Sequence, residues 1–208
     1  MAGILPSLLL CAASVHPDTI NDVARVESGF NPFAIAEIIP KAERDESGKT
    51  VITHLPSSKE DALEVIREIE NKKRRYSVGL MQITSTNFSL FNTSAEKLLS
   101  SCENLSVFEK IIVDCYQRGG DLENALSCYY SGNFSTGKRK ESEFSDTSYI
   151  ERIGYKNDSN KYLVPSTKNE RGESGIGKTH SKKKSVIYPE SILKSAFVDN
   201  AIPTKIIN

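Results

Sequence analysis

The sequence predicts a mainly α-helical protein: a single compact helical domain followed by a flexible basic C-terminal tail. Three observations point there. Apolar residues between positions 17 and 153 recur at helical spacing, in blocks that open on Ser, Asp or Pro and stop at Gly. Strand-like alternation is scarce. The charge is also unevenly shared: 27 basic and 27 acidic side chains cancel over 208 residues, yet residues 1–153 hold 17 basic and 22 acidic, and residues 154–208 hold 10 basic and 5 acidic. The chain therefore divides into an apolar N-terminal segment 1–10, a domain over 11–153 and a tail over 154–208. Lys, Ser, Asn and Gly dominate the tail, a composition that favours disorder or ordering only against a partner.

Taken in order, the first element runs over residues 17–28. Pro17 suits a first helical turn, Asp18 and Asp22 meet the positive end of the dipole, and Gly29 is a stop. Its apolar stripe is Ile20, Val23 and Ala24, and the next position of that stripe is Glu27. Residues 34–57 are polar and aperiodic and read as a loop or insertion. A helix is expected over 58–75, with Ser57 and Glu60 at capping-box spacing, Ala62, Leu63, Ile66 and Ile69 inward, and Lys72-Lys73-Arg74-Arg75 at its C-terminal dipole end. Ser77-Val78-Gly79-Leu80-Met81-Gln82-Ile83 is a short apolar turn. Thr93 and Glu96 open a brief helix to about Ser101, and Ser106 and Glu109 cap another that stops at Gly119-Gly120. Asp121 starts a helix with Leu122, Ala125, Leu126 and Tyr129 inward, ending at Gly132. A short amphipathic piece over 146–153 closes the domain.

Composition excludes several classes. Zero net charge and a pI near 6.8 argue against nucleic-acid binding. No stretch approaches ~18 uninterrupted apolar residues, so no transmembrane segment is expected. Residues 4–13 have the length of a signal-peptide core but no preceding Lys or Arg, so an export signal is not evident. Three histidines and no CxxC pair make a zinc site improbable, and neither metal nor cofactor is expected. Cys11, Cys102, Cys115 and Cys128 allow two disulfides in three connectivities, as in an oxidising compartment, or four buried thiols in a cytosolic protein.

Glu27 carries the chemistry. Burial and the last helical turn both disfavour its charged form, and a carboxylic acid still protonated near neutral pH is what glycosidic cleavage asks of a general acid. Its neighbourhood is Glu27-Ser28-Gly29-Phe30-Asn31-Pro32, followed by Gly79-Leu80-Met81-Gln82-Ile83 and Cys128-Tyr129-Tyr130-Ser131-Gly132-Asn133. These motifs, in this order, resemble the soluble lytic transglycosylases, in particular the branch attached to type IV secretion systems as first component of the VirB set. Cys11-Ala12-Ala13-Ser14-Val15, the insertion before the Gly-Leu-Met-Gln element, the later cysteines and Ser148-Tyr149-Ile150 match that branch, so the resemblance spans residues 11–153.

The resemblance implies a lysozyme-like fold of the α+β superfamily and peptidoglycan as substrate, cut between N-acetylmuramic acid and N-acetylglucosamine with a 1,6-anhydro product. It implies Glu27 as the catalytic acid and base, Ser28 near the sugar or the carboxyl group, Met81 and Gln82 in the cleft, and Tyr129 with its hydroxyl near Glu27. Tyr130 stands where the family has Asn. It also implies a periplasmic location in a Gram-negative cell and secretion-system components as partners, reached through the basic tail. A lysozyme-type hydrolase and a mainly structural assembly factor are the alternatives. Gly172-Glu173-Ser174-Gly175-Ile176-Gly177-Lys178-Thr179 fits a P-loop letter for letter, but the charged flanks supply neither the buried strand nor the helix that the mechanism needs.

Overall fold

The computed structural model describes residues 4–44 and 49–155. The tail from residue 156 onward, including the P-loop-like string, lies outside the described residues. A short helix α1 (Pro6–Leu9) and a 3-10 turn over Leu10–Ala12 lead to α2 (Pro17–Ser28). Ile4, Leu8 and Leu9 pack on the core, so the N-terminal segment is part of the folded body. The bounds of α2 are those read from the sequence. Gly29 takes φ 59 at its C-cap, a left-handed conformation that glycine adopts at little cost.

Residues 34–57 are the first correction. They are not a loop but contain β1 (Ile35–Ile38) and β2 (Val51–His54), an antiparallel pair. The pattern was hidden because Glu37 occupies an inward position of β1, where it is 1% exposed. Its carboxylate is held by Arg74 Nη1 at 2.6 Å and by His54 Nε2 at 2.9 Å, with Lys72 Nζ at 4.0 Å. Burial pushes this carboxyl up, but the bonds from Arg74 and His54 and the nearby cations outweigh it and hold it below the usual carboxylate range. A charge that counts as polar in the sequence thus works as a core residue.

Helix α3 (Lys59–Asn71) is shorter than expected and is capped by Ser58, whose Oγ accepts from the Asp61 amide, rather than by the Ser57/Glu60 pair. It ends at Asn71 because Lys73 reverses the chain at φ 54, which turns Arg74 onto Glu37. Strands β3 (Tyr76–Val78) and β4 (Ile83–Thr84) complete a sheet of order β2-β1-β3-β4. Helix α4 (Ala95–Leu98) is capped by Ser94, not Thr93. Helix α5 (Ser101–Gly119) is continuous through Ser106 and Glu109, which therefore cap nothing. Glu109 instead accepts from the Ser14 amide at 2.7 Å and the Ser14 hydroxyl at 2.5 Å. Helix α6 (Leu122–Ser131) is capped by Asp121 as expected, and α7 (Tyr149–Ile153) opens on a Ser148/Glu151 capping box.

Phe108, Ile20, Val23, Leu105 and Leu126 form the centre of one apolar core under the sheet and helices. Two disulfides fasten it. Cys11–Cys102 joins the N-terminal segment to α5 across a sequence separation of 91, and Cys115–Cys128 joins α5 to α6 across 13. In a chain-entropy account, loops of these lengths correspond to roughly 4–5 and about 3 kcal/mol taken from the unfolded state. Among the described residues, no helix is long and apolar enough to cross a membrane.

Candidate active site

A cleft of about 450 Å³ runs between the sheet and helices α2, α6 and α7. One wall carries Ala36, Thr53, Ser77 and Thr84 from the strands. The other carries Tyr129, Tyr130, Tyr149 and Arg152, with Glu27 also in the lining. Among the described residues in that lining, Glu27 is the one carboxylate.

Glu27 reaches the cleft because it continues the buried stripe of α2 one turn beyond Val23 and Ala24. Burial raises its carboxyl from 4.5 to about 7; the bond from Tyr149 and the charge of Arg152 pull the other way without cancelling the effect. Tyr149 donates its hydroxyl to Glu27 Oε1 at 2.5 Å. Burial and the Glu27 charge push the hydroxyls of Tyr149 and Tyr129 well above their ordinary range, so both remain donors whatever the state of the acid. Tyr149→Phe removes the bond that favours the carboxylate. The alkaline limb of a pH–rate profile governed by Glu27 should then move upward; a limb that stays in place or falls would detach Tyr149 from Glu27.

Tyr149 is itself held by a second layer. Its ring stacks on Tyr130 with centroids 4.3 Å apart and planes 13° apart. Tyr130 donates to Glu141 Oε1 at 2.7 Å, and Arg152 Nη2 donates to Glu141 Oε2 at 2.8 Å. Arg25 Nη2 donates to the Arg152 carbonyl at 3.1 Å, which ties α2 to α7. Sequence reasoning placed Ser148-Tyr149-Ile150 at the end of the domain but did not assign Tyr149 or Arg152 to the site. The bond from Tyr149 to Glu27 bridges 122 residues, and the local signal is the Ser148/Glu151 cap that aims α7.

The turn over residues 79–82 is the hub of the site, for each of its first three carbonyls holds a site residue. The Gly79 carbonyl accepts from Gln82 Nε2 at 2.9 Å, the Leu80 carbonyl accepts from Ser28 Oγ at 2.7 Å, and the Met81 carbonyl accepts from the Tyr129 hydroxyl. Ser28 also donates to the Ala24 carbonyl at 3.1 Å, so its hydroxyl ties the end of α2 to the turn. The Met81 side chain is 0% exposed, and what faces Tyr129 is its carbonyl. Gln82 sits at φ 51 with its Nε2 committed to the Ala34 and Gly79 carbonyls, which leaves Oε1 to accept from a ligand in the cleft.

Asn104 supports the turn from below and was not singled out in the sequence. It is 0% exposed on α5, accepts from the Met81 amide at 2.8 Å, and donates to the carbonyls of Val78 at 3.0 Å and Leu98 at 2.9 Å. Nothing in the local pattern distinguishes a buried Asn on α5 from a solvent-facing one. The four cysteines, all paired, frame this arrangement: Cys128 lines the cleft beside Tyr129, and Cys11 precedes α2.

A family model described as "Transglycosylase SLT domain" matches residues 9–150, which include every residue of the hub and all but Arg152 of the cleft wall. "Type IV secretion system protein virB1" of Brucella abortus (strain 2308) is 30% identical over 162 residues, covering 72% of this chain and 63% of that protein. "Protein virB1" of Agrobacterium fabrum (strain C58 / ATCC 33970) is 31% identical over 134 residues, covering 61% of this chain and 51% of that protein. The chain thus spans between about half and two thirds of the curated relatives it matches. No solved structure matches.

Proposed function

The chain belongs to the transglycosylase SLT domain family, and from that premise we propose that it is a peptidoglycan lytic transglycosylase that cleaves the bond between N-acetylmuramic acid and N-acetylglucosamine. Glu27, protonated up to about pH 7, gives its proton to the glycosidic oxygen as the bond from the anomeric carbon breaks. The muramoyl 6-hydroxyl then attacks that carbon, and its proton returns to Glu27. The product carries a 1,6-anhydro ring and no water is consumed. Gln82 Oε1 accepts from an acetamido or hydroxyl group of the sugar, Tyr130 with Tyr149 presents an aromatic wall, and Ser28 and Met81 act through the turn that they brace.

The observation that carries this reading over a hydrolase is that, among the described residues, Glu27 is the one carboxylate in the cleft lining. Most retaining and inverting glycoside hydrolases use a second carboxyl group as nucleophile or base. A reaction in which the substrate's own hydroxyl is the nucleophile needs just one. Digestion of purified peptidoglycan followed by mass spectrometry of the fragments tests it. Fragments ending in anhydromuramic acid, lighter by one water than reducing ends, are the expected result, and reducing ends alone would replace the reading with a lysozyme-type hydrolase.

The names of the relatives support a role beside a type IV secretion system, where local opening of the wall gives an assembling apparatus its passage. Peptidoglycan as substrate and two closed disulfides support an oxidising, periplasmic location. Contact with secretion components through the basic tail remains part of the proposal. Its test is secretion or conjugation by a chain lacking residues 156–208: loss of transfer with wall digestion intact supports it, and unaltered transfer removes the tail from that role.

A further inference from the structure

The loop that enters α7 folds round one guanidinium. Residues 141–147 close on themselves: the amides of Phe144 and Asp146 donate to the Glu141 carbonyl at 3.0 and 3.1 Å, and the Glu141 amide donates to the Thr147 carbonyl at 3.2 Å. Ser145 and Asp146 turn the chain at φ 55 and 56. Arg152 of α7 lies against this loop. Its Nη1 donates to the Thr147 carbonyl at 3.0 Å, and its Nη2 donates to Glu141 Oε2 at 2.8 Å. Its Cζ sits 4.0 Å from the Phe144 ring centroid and 5.8 Å from those of Tyr130 and Tyr149. One short loop thus supplies the cation with a counter-charge, a carbonyl and an aromatic face.

Glu141 has a second task. Its other oxygen accepts from the Tyr130 hydroxyl at 2.7 Å, and Tyr130 stacks on Tyr149, the donor to Glu27. One carboxylate therefore steadies both groups that act on the acid: the hydroxyl that bonds it and the cation whose charge reaches it. Among the described residues that line the cleft, Glu27 and Arg152 are the two ionic ones. Tyr129 on α6 gives its hydroxyl to the Met81 carbonyl, and Ser28 gives its own to the carbonyls of Leu80 and Ala24. Arg25 on α2, which donates to the Arg152 carbonyl, is paired with Asp22 at 3.4 Å. The other charges of the loop and its approach, Lys140, Glu143 and Asp146, are exposed. A bare guanidinium beside a buried carboxyl draws out its proton, whereas opposite charges held together largely cancel at a third group.

We propose that Glu141 and Arg152 are a positioning pair, which aims the Tyr149 hydroxyl at Glu27 and keeps an uncompensated cation away from the acid. The inference rests on the reaction proposed above and deepens it. The pair acts through Tyr149 and Glu27 rather than on the sugar.

Single and paired substitutions separate the two charges. In Glu141→Gln the amide oxygen can still accept from Tyr130, but Arg152 loses its counter-charge. The alkaline limb of the pH–rate profile should then move down by roughly one pH unit. In Arg152→Gln the cation is gone and the Glu141 charge remains, so the limb should move up. The double variant lacks both charges, and its limb should return towards that of wild type. A merely structural role would lower the profiles and leave their limbs in place. Opposite shifts that cancel in the double variant support the pair; limbs that stay put, or move in one direction, overturn it. Should Glu141→Gln fail to fold, Arg152→Lys keeps the cation that Arg152→Gln removes. A limb higher in the glutamine variant than in the lysine variant then supports the pair, and equal limbs remove it. The Glu27 carboxyl is also titrated directly, by NMR of protein carrying carbon-13 in its glutamate carboxyls, with Glu27→Gln assigning the signal. That titration needs no turnover. If wild type digests no peptidoglycan the proposed reaction fails by itself, and the direction in which the Glu27 midpoint moves in each variant still decides the pair.

Discussion

Glu27→Gln should abolish wall digestion, by about 10²–10⁴-fold, while making the protein more stable above neutral pH. The two effects have one cause. In the folded protein the carboxyl titrates near 7 instead of 4.5, because burial penalises its charge. The raised value means that between those pH values the folded state keeps a proton that the unfolded state has released. Stability therefore falls as pH rises through that window, by 2.303RT per unit, and the full penalty is present above about 7. A shift of this size is worth roughly 3–4 kcal/mol. The substituted glutamine cannot ionise, and its amide oxygen can still accept from the Tyr149 hydroxyl. The variant should thus melt higher than wild type at pH 8, and the two should converge below pH 4. An active, fully folded Gln variant would take Glu27 out of the reaction. An inactive variant with no pH-dependent gain would mean that the acid is not held against its charge.

Asn104→Leu should give the largest loss of stability, on the order of 3–5 kcal/mol, and a loss of turnover beyond what unfolding explains. Leucine has the same branching but no polar atoms, so the Met81 amide and the carbonyls of Val78 and Leu98 all lose their bonds to the side chain. Each such group costs about 1–3 kcal/mol. The Met81 amide belongs to the turn that holds Ser28, Gln82 and Tyr129, so even molecules that remain folded should present a displaced site. Gly79→Ala reaches the same place from the other side. Gly79 has φ +84, and an added Cβ would lie 2.2 Å from Asn104 Nδ2 and 2.6 Å from the Leu98 carbonyl oxygen. Denaturant titration, with turnover measured well below the midpoint, reads both quantities. A cost below about 1 kcal/mol for Asn104→Leu would show that water or a rearranged turn replaces the amide.

The parts of the fold that were legible in the sequence are those with local causes. Pro17 and Gly29 bound α2, and Asp121 and Gly132 bound α6, because caps and stops act within one turn of the residues that they terminate. Glu27 was legible for a related reason, as a break in an otherwise apolar stripe. What was hidden depends on partners far away in the chain. The segment 34–57 reads as polar and aperiodic, and the inward place of Glu37 is explained only by Arg74, 37 residues on. The start of α5 reads as a break because Ser106 and Glu109 have capping-box spacing, although the helix runs through both. Tyr149 reads as the tail of a domain, and becomes a site residue when α7 folds back across α2. Glu37 and Asn104 are polar side chains that belong to the interior, which no local pattern reveals.

The bond between Cys11 and Cys102 has a consequence of a different kind. Glu27, the four strands and the Gln82 turn all lie between these two residues, so the cleft is built largely from a covalently closed ring. A single peptide-bond cut inside that ring opens it without dividing the molecule. Limited proteolysis within the β1–β2 hairpin should therefore yield a nicked protein that migrates as one species until a reductant is added. A nick in that hairpin would leave the N-terminal piece, Glu27 included, held covalently to the rest of the cleft by this one bond.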